Sequence, residues 1–149
     1  MDYLTRLARF VGETRLAGLP PSTVKASKLV LLDTIGAIIA GSVLPENTRL
    51  GHMAARRAPH GGVSLLGHAL KADSLLATFT NATAGVALEV DEGNRLGGGH
   101  PAIHVIPAAV AVAEEMGADG PRLLESIIAG YEVGSRLGGA TQARPNVHS

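Results

Sequence analysis

The sequence predicts an all-α fold, and three observations carry that reading. Apolar residues recur at three- and four-residue spacing along nearly the whole chain, the pattern of helices with a buried face. Gly and Pro punctuate the boundaries between these stretches. Aromatic residues make up only 3% of the 149 residues, with two Tyr, two Phe and no Trp. The core must therefore be built from Ala, Val, Ile and Leu, and such small side chains let helices come close together.

The elements follow in chain order. Leu4, Leu7 and Val11 form one stripe, predicting a surface helix. Gly18, Pro20 and Pro21 then break the chain, and Ser22 stands as an N-cap for the next helix. This second helix, expected from about Thr23 to Ala40, carries Leu31, Leu32, Ile35, Ile38 and Ile39. Being apolar around much of its circumference, it is expected at the centre of the bundle. Gly41 ends it and Pro45 follows. A short third helix is expected from about Glu46 to Arg57. Residues 58–69 hold three glycines and a proline around Val63-Ser64-Leu65-Leu66, which reads as a short strand or extended connector.

A helix resumes near Ala72, capped by Asp73, and its apolar positions Leu75, Leu76, Phe79, Val86 and Ala87 carry it to about Val90. There DEGNRLGGG, residues 91–99, interrupts the pattern. Three consecutive glycines call for close backbone approach or loop mobility. Pro101 opens the next helix where a missing N–H costs nothing. The body from Ile103 to Met116 is rich in Ala and Val, and Gly117 stops it. Asp119 caps the last helix, with Leu123, Leu124, Ile127, Ile128, Tyr131 and Leu137 on its buried face. Periodicity is lost from Gly138 onward, and neither an internal repeat nor a linker between two domains is visible. The expectation is an all-α helical bundle with one short extended segment near residues 63–66.

Composition excludes several function classes. A formal net charge of +0, with Lys and Arg scattered rather than clustered, argues against a nucleic-acid partner. The absence of cysteine excludes a disulfide framework, a thiol nucleophile, Cys-ligated zinc and Cys-held iron–sulfur clusters, and is compatible with a cytoplasmic location. Residues 1–15 carry charges throughout and do not read as a signal peptide. The most apolar run, Leu29 to Ala40, is interrupted by Asp33 and falls short of the roughly 20 residues a membrane span needs. No membrane association is expected.

The strongest chemical signal lies between Glu89 and His104. Glu89, Asp91, Glu92, Asn94, Arg95, His100 and His104 crowd a short span, and acid–base chemistry draws on carboxylates and imidazoles near one substrate. The helix start after His100 offers open N–H groups and a positive dipole end that favour a carboxylate ligand. A polar, Gly-rich surface connector has the same composition. His100 and His104 are four apart, but HExxH is absent and Pro101 puts His100 at the helix edge, so no metal site is expected. His104 reads first as a half-buried residue bonded to a backbone carbonyl, with a site role as the alternative. Gly97-Gly98-Gly99 lacks the surroundings of a phosphate-binding loop. Arg136 reads as the partner of Glu132 or Asp33, with a substrate carboxylate as the alternative. Tyr131 reads as a core residue with a satisfied hydroxyl.

Several blocks resemble the MmgE/PrpD family, which includes 2-methylcitrate dehydratase, cis-aconitate decarboxylase and iminodisuccinate epimerase. They are LVLLDTIGAIIAGS (29–42), SLLGHAL (64–70), NATAGVALEVDEGN (81–94) and the run from GGHPAIHVIPA to VGSRLG (98–138), in the family's order. The resemblance implies that residues 1–149 form part of a larger all-helical domain, with the remainder and an α+β lid domain absent. It also implies a cleft lined by the acidic loop and two histidines. His100 matches the family's HP histidine, and Asp91 with Glu92 its paired acids; Glu89 stands where many members have another acid, and His148 matches the second histidine. The chain has Asp91-Glu92-Gly93 where decarboxylase and dehydratase members commonly have Asp-Asp-Thr, and Ala102 follows Pro101 in place of a frequent Ser.

On this reading the protein is a lyase or isomerase that acts on a small polycarboxylate by cofactor-independent acid–base catalysis, through dehydratase-like proton abstraction and elimination. His100, Asp91 and His148 are the catalytic candidates. Glu89, Glu92, Arg95 and His104 are the substrate-binding candidates. The alternative is a non-catalytic helical fragment or subunit that works by dimerisation or by binding a complementary chain, since helices without their later partners leave apolar faces uncovered.

Overall fold

A computed structural model describes residues 2–141. Six α-helices and one β-hairpin follow in the order α1 (Tyr3–Glu13), α2 (Pro21–Ser42), α3 (Pro45–Arg57), β1 (Val63–Leu65), β2 (Leu70–Ala72), α4 (Ser74–Val86), α5 (Pro101–Met116) and α6 (Gly120–Thr141). A single 3-10 turn, Leu16–Gly18, joins α1 to α2. The fold is the expected helical bundle, and its extended segment is one arm of a hairpin.

Local chemistry sets most boundaries. Asp2 caps α1 by accepting the Thr5 N–H at 2.7 Å, and Asp73 caps α4 through the Leu76 N–H at 2.8 Å. Asp119 accepts the Arg122 N–H at the start of α6. Gly117 takes the left-handed conformation, φ 62°, that ends α5. Helix α2 starts before the expected Ser22 cap. Pro20 is the cap and Pro21 the first helical residue, because proline's fixed φ suits a position whose N–H has no acceptor. Helix α4 ends at Val86 rather than near Val90, and the chain then turns through Glu89 at φ 52°.

The antiparallel hairpin pairs Val63 with Ala72, Ser64 with Lys71 and Leu65 with Leu70, closing through Gly67 at φ 85°. Its second strand was not visible in a pattern of only three residues. Side chains from two helices hold it. Asn81 of α4 accepts the Leu66 N–H and donates to the Ser64 carbonyl. The Glu114 carboxylate of α5 takes both the N–H and the hydroxyl of Ser64 at 2.7 Å each.

The central helix is α5, not α2 as expected. Ala111 joins the cluster beneath the hairpin, Ile103 packs with Ile38 and Ala84, and Ala102 and Ile106 pack with Ile127 of α6. Helix α5 keeps this place despite an interior Pro107, which is itself buried. Helix α2 buries Ile38 among the smaller residues Thr34, Ala37, Gly41 and Ser42 against its neighbours. Leu29 and Leu32 are consequently 57% and 67% exposed. Hydropathy around the helix could not distinguish these two faces. Close approach does: a Cβ on Gly41 would lie 1.9 Å from the Ala84 carbonyl oxygen, and one on Gly85 would lie 2.3 Å from Ile103 Cδ1. No single helix among the described residues is long and apolar enough to cross a membrane.

The centrality of α5 yields a stability prediction. Ile106 is fully buried, and Ile106→Ala is expected to cost about 2–5 kcal/mol in urea unfolding. Leu29→Ala, on the exposed face of α2, is expected to change stability by no more than about 0.5 kcal/mol. Equal losses at the two positions would overturn the assignment of α5 as the core helix.

Candidate functional site

The acidic loop, residues 87–100, connects α4 to α5 and lies against α6. Its glycines allow that contact. A Cβ on Gly97 would come within 2.7 Å of Ser135 Cα, while Gly98 and Gly99 both adopt φ 69°. Close approach and left-handed backbone together account for the triple glycine.

Asn94 organises the loop tip. Its side-chain oxygen accepts the N–H groups of Leu96 and Gly97 at 2.8 Å each, and its own N–H donates to the Gly99 carbonyl at 2.9 Å. The amide nitrogen reaches α6, donating to the Tyr131 hydroxyl at 3.0 Å and the Ser135 hydroxyl at 3.2 Å.

Glu92 joins the loop to two helices. One carboxylate oxygen accepts the Tyr131 hydroxyl proton, and the other accepts the Ala102 N–H at 3.2 Å. The helix start that was expected to receive a substrate carboxylate thus already holds one from the chain itself. The Glu92 backbone carbonyl accepts a hydrogen bond from His100 Nδ1 at 2.9 Å. Asp91 Oδ2 lies 3.2 Å from the same nitrogen, on a side chain only 3% exposed. That oxygen has no hydrogen-bond partner among the described residues, so the Asp91 contact is one of proximity and becomes an ion pair only when the imidazole is protonated. His100 itself is the N-cap of α5 and is 39% exposed at its side chain.

Asp91, Glu92 and His100 are therefore brought together. Glu89, Arg95 and His104 are exposed, and their side chains make no hydrogen bond or ion pair to the described residues. His104 is on the solvent side of α5 rather than half-buried. His148 lies outside the described residues. Arg136 pairs with Glu132 at 2.7 Å, one of its two expected partners. Asp33 instead lines an open cleft of about 500 Å³ beside Leu29, Val30, Leu32 and Glu92.

In the sequence alone, Asn94 is one polar residue among several in the loop and Tyr131 reads as a core residue. An Asn just before a Gly-rich tip is a turn signal and could have marked the first. The second is half-buried on α6, and its link to Glu92 spans 39 residues, beyond any local pattern.

A family model described as the MmgE/PrpD N-terminal domain matches residues 5–149. The chain is 26% identical over 146 residues to a cis-aconitate decarboxylase-like protein, oryM, of Aspergillus oryzae, covering 93% of this chain and 30% of that one. It is 25% identical over 127 residues to a cis-aconitate decarboxylase of Aspergillus terreus, covering 82% and 26%. The chain thus spans less than a third of the length of these relatives. No solved structure matches it.

Burial, and after it the hydrogen bond to Glu92, push the Tyr131 phenol above its ordinary value of 10.0. A raised value in the folded state favours the protonated phenol. The associated stability is complete below pH 10.0 and disappears as pH rises through the raised value. An alkaline absorbance titration should show one late-ionising phenol that Tyr131→Phe removes. Loss of an ordinary phenol instead would contradict the Glu92 contact.

Proposed function

The chain belongs to the MmgE/PrpD family, and on that premise we propose that it supplies the acid–base loop of a lyase or isomerase acting on a small polycarboxylate. The observation carrying this reading is the meeting of His100 Nδ1 with the Glu92 carbonyl and the buried Asp91 carboxylate. It is the usual arrangement for orienting a catalytic imidazole, with an acceptor and a counter-charge on one ring nitrogen. The relatives' names point to cis-aconitate, a tricarboxylate. Because the chain spans under a third of their length, the activity is proposed for the protein together with the rest of the family fold.

The chemistry runs through His100 Nε2. This atom takes a proton from a carbon next to a substrate carboxylate, which stabilises the developing negative charge. In the dehydratase form of the reaction, the C–H electron pair becomes a C=C bond as a hydroxyl leaves the neighbouring carbon. That hydroxyl takes up a proton and departs as water, with His148 as the proposed acid. Arg95 and His104, exposed near the loop, meet substrate carboxylates, and Asp91 balances the imidazolium. Glu89 lies in the same loop and is the remaining substrate-binding candidate. No cofactor takes part in this reading.

His100→Ala in the complete protein is expected to lower kcat by about 10²–10⁴-fold, the usual contribution of a positioned acid–base group. Steady-state turnover of cis-aconitate and related di- and tricarboxylates is the measurement, and full activity in that variant would sink the assignment.

A second reading has its own support. Leu32, Val43, Leu75 and Phe79 are all more than half exposed on or beside α2 and α4, and contiguous exposed apolar side chains mark association surfaces. In this reading the chain works by associating with a second copy or a complementary chain. Light scattering on the isolated chain should then report a dimer or larger species, whereas a cooperatively unfolding monomer would rule it out.

A further inference from the structure

The loop carries a run of hydrogen bonds whose directions are set by groups that can act in only one sense. The N–H groups of Leu96 and Gly97 can only donate, so the Asn94 atom they meet is its carbonyl oxygen. The other end of that amide is then a donor, and it faces the Tyr131 hydroxyl at 3.0 Å. Having one proton, and accepting from Asn94, Tyr131 directs that proton to Glu92 Oε1. Glu92 Oε2 is meanwhile held by the Ala102 N–H. With its carboxylate bound to α6 on one side and α5 on the other, Glu92 presents its backbone carbonyl to His100 at 2.9 Å. A carbonyl only accepts, so the proton of a neutral imidazole sits on Nδ1.

We propose that Glu92, clamped by Tyr131 and Asn94, is a positioning residue that selects the Nδ1–H tautomer of His100 and so places the ring's lone pair on Nε2. This assignment rests on the reading of His100 as the acid–base group. It gives the tautomer-setting contact to the Glu92 carbonyl. Asp91, at 3.2 Å without a hydrogen bond, is left as the counter-charge. Tyr131 acts through Glu92 and has no contact with the imidazole in this scheme.

The test is nitrogen-15 NMR of the histidine side chains in the full chain, at a pH where the ring is neutral, with His100 identified by its loss in His100→Ala. Wild type should show one tautomer, Nδ1 with a protonated-nitrogen shift and Nε2 with a lone-pair shift. In Tyr131→Phe, which leaves Glu92 Oε1 without its donor, both nitrogens should move toward averaged values. Glu92→Gln should do the same, since an amide nitrogen cannot accept, and either the Ala102 N–H or the Tyr131 O–H then loses its acceptor. A wild-type ring protonated on Nε2 overturns the proposal whatever the variants do. Variants that lose melting temperature yet keep the Nδ1–H signature also overturn it, because the clamp is then merely structural. Failure of the catalytic reading shows differently: His100→Ala would keep full turnover while the wild-type ring still showed the Nδ1–H tautomer.

Discussion

Close approach between helices is the constraint on which the rest of this molecule depends. With two Phe, two Tyr and no Trp, there are few large rings to fill space between widely separated helices. Each helix must therefore come near enough for Ala, Val and Ile to touch. Where α2 meets α4 and α4 meets α5, a glycine stands at a point too close for a Cβ. Density comes from proximity instead of side-chain bulk. The same proximity puts α5 in the middle, where three separate buried clusters share it.

A central α5 gives the acidic loop a fixed end. The loop terminates at the start of a helix that contributes to all three buried clusters, so His100, its N-cap, stands on a well-anchored base. Glu92 returns the favour electrostatically. Its carboxylate sits by the Ala102 N–H, where a negative charge complements the positive end of the helix dipole. The glycine-bearing side of the loop lies against α6 and brings Tyr131 and Ser135 within reach of Asn94. Packing and polar contacts therefore specify the same loop position.

Helix existence was legible because it depends on short-range spacing and capping. Asp73, Asp119, Pro101 and Gly117 mark their boundaries through interactions spanning only a few residues. The triple glycine was legible as a demand for close approach, although the surface approached could not be named. The position of α2 was misread for a physical reason: a helix apolar on all sides satisfies the pattern of a central helix whether or not partners cover it. The β2 strand went unseen because three residues carry no usable alternation. Among the site residues, Asp91, Glu92 and His100 could be picked out by chemical type and crowding. Tyr131 could not, since nothing in its own helix distinguishes a phenol bonded to the loop from one buried in the core.

By itself, the sequence determined that this is a helical chain of the MmgE/PrpD pattern, with an acidic loop leading into a proline-started helix. Those properties reside in periodicity, caps and short motifs, which neighbouring residues set among themselves. Only the tertiary structure decided that α5 is the hub, that small residues turn inward on α2, and that Glu92 is held between α5 and α6. It also decided which nitrogen of His100 faces a carbonyl. These features depend on which surfaces meet across tens of residues, and that is settled by packing the whole set of helices at once.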